Sequence, residues 1–177
     1  VDLDRFVPEV RGERLLVVSR LREYKRVDLV IEAATRAKLP LDIVGDGPAA
    51  EWLRSIAGPT VRFHGKVSDP EVTRLMQGCR AFCLPGEEDF GMAPVEAQAA
   101  GKPVVAFGRG GVTETVIEGE TGAFFDEQTP VAFLDALARC DALPADPARI
   151  GAHAQRFSRQ AFRRRLSTVI EEARATV

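Results

Sequence analysis

The sequence contains few cysteines, no long apolar run and almost no net charge. Its 177 residues include three cysteines. That number is too small for a disulfide framework, and an odd number of thiols is typical of a reducing compartment. No apolar run reaches the roughly 18 residues of a membrane span, and the first residues lack the pattern of a signal peptide. The formal charge of -2 gives no indication of nucleic acid as a partner. We therefore expect a cytoplasmic globular protein.

Short apolar runs alternate along the chain with stretches in which apolar residues recur every three or four positions. This alternation is typical of a parallel sheet covered by helices on both faces, and it predicts a Rossmann-like α/β fold of about six strands. The strands are predicted at Leu15–Val18, Leu41–Val44, 61–64, Ala81–Leu84, Val104–Phe107 and 123–125. Helices are predicted at Val27–Ala37, 49–56, 69–77, 93–100, 113–118, 130–139 and 160–175. We expect a single domain over residues 1–177, with a helical C-terminal part at 126–177.

Charged and glycine-rich segments follow the predicted strands, at the edge where open parallel sheets bind ligands. The first strand is followed by a loop that contains Arg20 and Lys25. The second is followed by Gly45-Asp46-Gly47-Pro48, with the proline expected at the first helical position. Arg109 follows the fifth strand and is expected at the same edge. These loops predict a ligand site that offers positive charge.

The segment after the fourth strand, residues 85–96, is the most informative in the chain. Gly91 allows close backbone approach to a ligand, and the helix that follows offers free N–H groups to an anion. Glu88 precedes this helix and Glu96 lies in its first turns, with no obvious cation nearby in sequence. Acidic residues are common near helix N-termini. The apolar neighbours of Glu96, however, do not suit a merely solvated carboxylate, and both side chains are able to accept hydrogen bonds from sugar hydroxyls.

Five motifs stand in a fixed order along the chain. Glu88 and Glu96 are separated by seven residues within Gly-Glu-Glu-Asp-Phe-Gly-Met-Ala-Pro-Val-Glu. The others are Ser19-Arg20-Leu21 with Lys25, Val44-Gly45-Asp46-Gly47-Pro48, Phe63-His64-Gly65-Lys66-Val67, and Gly110-Gly111 through Glu114 to Gly122. Together they resemble the signature of the retaining glycosyltransferases with the two-domain GT-B fold, the family of bacterial mannosyl- and glucosyltransferases. The similarity covers essentially the whole chain and is to the C-terminal, nucleotide-sugar-binding domain.

This resemblance implies a role for each matched residue. Arg20 and Lys25 would hold the diphosphate, and Glu88 would contact the donor sugar near its reacting carbon. Glu96 would contact the ribose, and the turn at 63–67 would border the base. The expected substrate-binding residues are Glu96, Phe90, Gly91, Met92, Ala93, Gly45, Lys66, Val67 and Arg109. We expect no metal ion and no cofactor, with GDP-mannose as the first candidate donor and UDP-glucose or a UDP-N-acetylhexosamine behind it.

The chain departs from the family pattern at three positions, and the resemblance implies a further, N-terminal domain. Asp89 stands where proline is usual, Ser19 where glycine commonly precedes the arginine, and Arg26 where glycine follows the lysine. Residues 1–12 resemble the linker from an N-terminal domain that binds the acceptor, a glycan or glycolipid. We therefore expect this chain alone to bind a donor without transferring its sugar. The full-length enzyme is compatible with peripheral association with a membrane.

Alternative interpretations rest on weaker signals. Gly45-x-Gly47-x-x-Ala50, with Asp69 further on, has the form of a dinucleotide-binding motif and would indicate an NAD-type domain. A non-catalytic nucleotide-sugar-binding module is a third possibility. Asp2-Leu3-Asp4 has the spacing of metal-dependent glycosyltransferases of another fold but precedes every strand. His64, at a strand end, is expected to be a structural residue rather than a base.

Overall fold

Six short strands form one sheet in a computed structural model that describes residues 1–144 and 146–175. They are β1 (Leu15–Val18), β2 (Leu41–Val44), β3 (Val61–Gly65), β4 (Ala81–Leu84), β5 (Val104–Phe107) and β6 (Gly122–Phe125). Every neighbouring pair is parallel, and the order across the sheet is β3-β2-β1-β4-β5-β6. The predicted Rossmann-like α/β fold is confirmed.

Helices connect the strands and complete the chain. They are α1 (Val27–Ala37), α2 (Ala50–Ile56), α3 (Asp69–Gly78), α4 (Met92–Ala99), α5 (Val112–Thr115), α6 (Pro130–Asp141), α7 (Pro147–Ala154) and α8 (Arg159–Ala175). Local sequence explains several boundaries. The Thr129 side chain accepts a hydrogen bond from the backbone N–H of Ala132 at the start of α6. Gly101, with φ +75°, follows the end of α4 in the left-handed conformation that favours glycine.

The strands are nearly all apolar because both faces of the sheet are covered. Successive residues contact opposite sides, so Leu15 packs into one core and Leu16 into the other. Buried residues of α1, α2 and α6 belong to the first core, and those of α3, α4, α5 and α7 to the second. Helices α1 to α7 therefore contribute apolar residues to the two cores that flank the sheet.

Most predicted boundaries agree with the structure to within two residues, and two differences are informative. α5 is a single turn at Val112–Thr115 instead of the predicted 113–118, because the chain turns back at Gly119 to begin β6. α2 begins at Ala50, so the prediction that Pro48 occupies the first helical position is wrong and Pro48 lies in the preceding turn. The extent of the single domain and of its C-terminal part at 126–177 stays a prediction; Ala145, Thr176 and Val177 lie outside the described residues.

The chain reverses its winding direction between β1 and β4, which are neighbours in the sheet. The helix that follows β1 packs on one face and the helix that follows β4 packs on the other. The two loops consequently diverge at the carboxyl ends of these strands and leave a crevice between them. Open α/β sheets bind their ligands in this kind of crevice.

The last helix, α8, lies largely on the surface. Its apolar residues Phe162, Leu166, Val169 and Ile170 are all exposed, and only Ala161 is buried. Among residues 1–144 and 146–175, no helix has the length and apolar character needed to cross a membrane.

Candidate functional site

A cleft of about 590 Å³ opens at the crevice between β1 and β4. This volume is in the range of small-molecule binding sites. The residues that line it come from three segments: the end of β1 and its loop, the end of β4, and the start of α4. They are Val18, Ser19, Arg20, Tyr24, Lys25, Leu84, Glu88, Phe90, Gly91, Met92, Ala93 and Pro94. The topology therefore brings together Arg20, Lys25 and Glu88, as expected.

The two cations of the β1 loop differ in their surroundings. Lys25 is mostly buried, and its Nζ donates a hydrogen bond to Oε1 of Glu88. Arg20 is exposed, and among the described residues no hydrogen bond or ion pair engages its side chain. A guanidinium of this kind is available to an anionic ligand, for which it offers several donors in a planar array.

Backbone conformation places Lys25 beside Glu88. A Cβ atom at Gly86 would lie 2.9 Å from Cα of Lys25, so only glycine permits the two loops to pack this closely. Arg26 follows with φ 51° in the left-handed region, which explains why glycine is usual at this position of the family. The Arg26 side chain bonds Asp28 and Gln128, contacts that help offset the strain of about 1 to 2 kcal/mol.

The N-terminus of α4 faces the cleft. Gly91 precedes the helix with φ 77°, and no side chain caps the first turn of α4. The backbone N–H groups of the first turn therefore remain for a ligand, and their partial positive charge suits a phosphate. Phe90, Met92 and Ala93 also line the cleft, and their contact with the substrate stays a prediction.

The loop after β5 supports the segment that carries Glu88. The Gly111 N–H donates to the Glu88 carbonyl oxygen over 2.8 Å, and Glu88 and Gly110 form an isolated parallel bridge. A Cβ atom at Gly110 would lie 2.3 Å from that carbonyl oxygen. Gly110 and Gly111 thus fix the position of the Glu88 backbone by packing against its carbonyl group.

Glu96 lies further along α4 and does not line the cleft. Its Oε1 accepts a hydrogen bond of 2.9 Å from the Arg5 guanidinium. Burial raises the pKa of Glu96, although Arg5 acts in the opposite direction. No obvious cation lies near the two carboxylates in sequence, but the fold supplies one to each from a distant part of the chain: Lys25 to Glu88 and Arg5 to Glu96.

The remaining predicted residues lie around the cleft rather than in it. Gly45 packs against the β1 loop, where a Cβ atom would lie 1.8 Å from the Ser19 carbonyl oxygen. Lys66 is exposed and Val67 is half-buried in the turn after β3. Arg109 is exposed after β5, with its guanidinium 5.4 Å from the centre of the Phe107 ring. All four belong to loops at the carboxyl edge of the sheet.

His64 has a structural partner at the end of β3. Its Nε2 lies 2.9 Å from Oδ1 of Asp42, whose Oδ2 accepts a hydrogen bond of 2.7 Å from Arg14. Burial raises the pKa of Asp42, but the hydrogen bonds from Arg14 and His64 outweigh it and leave the pKa below its ordinary value. The contact is in keeping with the structural role expected for His64.

Tyr24 and Arg5 are not among the site residues predicted from the sequence. Tyr24 lines the cleft between the two cations, and its aromatic ring lies 4.8 Å from Nζ of Lys25. It could have been found because it stands inside the charged loop. Arg5 precedes every strand, and no local pattern connects it with Glu96, which is 91 residues away.

Comparison with known proteins agrees with the observed fold. Residues 4–157 match the family described as glycosyl transferases group 1. The chain belongs to this family. Its sheet and helices correspond to the Rossmann-like C-terminal half of a GT-B fold, as the sequence motifs predicted.

Three similar proteins illustrate the range of the family. D-inositol 3-phosphate glycosyltransferase of Nocardioides is 31% identical over 92% of this chain and 42% of that protein. GDP-mannose-dependent alpha-mannosyltransferase of Corynebacterium glutamicum is 34% identical over 62% of this chain and 26% of that protein. Anabaena HepE, solved in complex with UDP-glucose, has a TM-score of 0.73 at 23% identity over 91% of this chain and 49% of that one. The chain spans less than half the length of these relatives.

The glycines behind the alternative NAD-type interpretation have a packing role. They follow β2 rather than β1, and Cβ atoms at Gly45 and Gly47 would collide with the carbonyl oxygens of Ser19 and Leu21. Their small size thus serves the contact between two loops. Together with the family match, this packing leaves the dinucleotide-binding interpretation without support.

Proposed function

We propose that this chain is the donor-binding part of a retaining glycosyltransferase, which moves a hexose from a nucleotide diphosphate sugar to a hydroxyl of a glycan or glycolipid. The observation that carries the proposal is the cleft at the carboxyl ends of the neighbouring strands β1 and β4. Arg20, Lys25 and the N-terminus of α4 converge there around Glu88. Positive groups and one carboxylate in a single small cleft suit a ligand with a diphosphate and a sugar.

In the proposed reaction, the bond between the anomeric carbon and the diphosphate oxygen breaks, and the acceptor oxygen bonds to the same carbon with retained configuration. The proton of the acceptor hydroxyl passes to the departing diphosphate. Arg20, Lys25 and the first N–H groups of α4 stabilise the negative charge that grows on the departing diphosphate. Glu88 orients the donor sugar and stabilises its electron-poor carbon. Since these cations supply the positive charge, the proposal requires no metal ion.

Glu96 contacts the ribose in this proposal, and the turn after β3 borders the base. GDP-mannose is the first donor we propose, because a relative that is 34% identical is named for its use. UDP-glucose is the second, because HepE, whose fold is similar, was solved with it bound. The acceptor binds to a second domain across the cleft, which closure would bring against the donor.

The two glutamates should have separate effects on binding. Glu96→Gln should weaken every ribonucleotide, since a neutral amide accepts hydrogen bonds less strongly than a carboxylate. Glu88→Gln should leave the plain diphosphate almost unaffected and weaken only the sugar-bearing donor. Each loss should be roughly 1.5 to 3 kcal/mol, as for hydrogen bonds to a charged group. Calorimetric titration of each variant with UDP, GDP, UDP-glucose and GDP-mannose measures both effects.

Glu87→Gln is the matched control, since Glu87 adjoins Glu88 in sequence but is exposed outside the cleft. It should bind all four ligands as the parent does. Equal losses for diphosphate and sugar nucleotide in Glu88→Gln would contradict the placement of Glu88 against the sugar.

A further inference from the structure

The segment before β1 is fixed along α4. Leu3 and Phe6 are buried in the same core as the apolar side of α4. The Glu9 N–H donates to the carbonyl oxygen of Ala100 over 3.2 Å, and the fully buried Lys102 donates through Nζ to the carbonyl oxygens of Glu9 and Val10. The backbone that carries Arg5 is therefore fixed before it by the buried Leu3 and after it by the buried Phe6 and the hydrogen bond of Glu9.

The Arg5 guanidinium has three contacts. It donates to Oε1 of Glu96 over 2.9 Å, lies 3.5 Å from Oδ2 of Asp69, and stacks 4.8 Å from the centre of the Phe6 ring. Asp69 is strongly exposed, whereas the Glu96 side chain is 19% exposed. The contact with Glu96 is consequently the one least screened by solvent.

We propose that Arg5 is a positioning residue of the nucleotide site, which holds the Glu96 carboxylate oriented for the ribose hydroxyls. The inference rests on the proposed contact between Glu96 and the ribose. Arg5 fixes one oxygen of the carboxylate, Oε1. Within residues 1–144 and 146–175, no hydrogen bond engages the other oxygen, Oε2, which remains to accept from the ligand.

The electrostatics of the site are consistent with this role. Burial raises the pKa of Glu96, and the carboxylate of Asp69 at the start of α3 adds to the increase. Arg5 opposes both. Loss of the Arg5 charge would raise the pKa of Glu96 further. A larger fraction of Glu96 would then be protonated at a given pH, and the loss of ribose binding should grow as the pH falls.

The test compares Arg5→Met with Arg5→Lys by calorimetric titration of UDP and GDP and of their 2′,3′-dideoxy counterparts. Arg5→Met should weaken the ribonucleotides by about three- to tenfold, which is the range expected when one hydrogen bond to the ligand is lost or misaligned. It should leave the dideoxy compounds at parental affinity, and Arg5→Lys should restore most of the loss. Between about pH 5 and pH 8, the defect of Arg5→Met should shrink as Glu96 ionises.

Arg159→Met is the matched control, because Arg159 pairs with Asp2 of the same segment over 3.1 Å. It should bind like the parent, and thermal unfolding of each variant confirms that it is folded.

Equal losses for ribose and dideoxy ligands in Arg5→Met, or no loss, would overturn the inference. If Glu96→Gln itself binds ribonucleotides normally, the ribose assignment fails and the inference with it. If Glu96→Gln is defective and Arg5→Met is normal, the inference alone fails.

Discussion

Replacement of Arg20 or Lys25 by Met is expected to weaken nucleoside diphosphate binding by roughly 10- to 150-fold, or about 1.5 to 3 kcal/mol for each lost charge-assisted hydrogen bond. Binding of the nucleoside alone should change little, because the cations lie in the cleft with the α4 N-terminus. The larger loss should occur in Lys25→Met. Lys25 is the partner of Glu88, so its removal also leaves an unpaired carboxylate beside the diphosphate.

A second substitution separates these two contributions. In Lys25→Met with Glu88→Gln, the unpaired negative charge is gone, and diphosphate affinity should recover in part relative to Lys25→Met alone. Arg22→Met is the matched control, since Arg22 is exposed in the same loop but does not line the cleft. Parental diphosphate affinity in both Arg20→Met and Lys25→Met would place the phosphate site elsewhere.

Gly110→Ala is expected to have a comparably large effect, although residue 110 does not line the cleft. A left-handed backbone costs an alanine about 1 to 2 kcal/mol. The added Cβ would also lie 2.3 Å from the Glu88 carbonyl oxygen and push the segment that carries Glu88 into the cleft. Affinity for the sugar nucleotide should fall more than about tenfold, since loss of a hydrogen bond to a charged group costs roughly 1.5 to 3 kcal/mol.

Gly119→Ala provides the comparison for this variant. Gly119 has φ +78°, similar to the +74° of Gly110, but a Cβ atom there would have no neighbour within 4 Å. Both variants should lose stability from backbone strain in denaturant unfolding, Gly110→Ala by more because of the added collision, and only Gly110→Ala should lose donor affinity. Indistinguishable titrations for the two variants would show that the loop after β5 does not position Glu88.

The sequence was sufficient to predict the elements of this fold for a physical reason. Parallel strands covered on both faces must be short and apolar throughout, and the helices between them must carry one apolar stripe. These requirements appear locally, so β1 and α1 were predicted at their observed boundaries. The order of the strands in the sheet could not be predicted from these local patterns, because it depends on how distant apolar segments pack together in the folded chain.

The site was predicted in part for the same reason. Arg20, Lys25 and Glu88 follow strands, and the rule that ligands bind at carboxyl ends of strands was enough to bring them together. Their pairing was not predictable, since Lys25 and Glu88 are 63 residues apart and Arg5 and Glu96 are 91 apart. Contacts of this kind follow only from the folded arrangement, in which β1 and β4 are neighbours.

The most direct test of the central claim is a calorimetric titration of the chain with uridine, guanosine, UDP, GDP, UDP-glucose, GDP-mannose and NAD. We expect at least one nucleoside diphosphate to bind more tightly than its nucleoside and to compete with its sugar nucleotide for one site, while NAD binds weakly. The same diphosphate should bind poorly to Arg20→Met. Preferential binding of NAD, or no binding of any diphosphate, would contradict the assignment of the cleft to a nucleotide sugar.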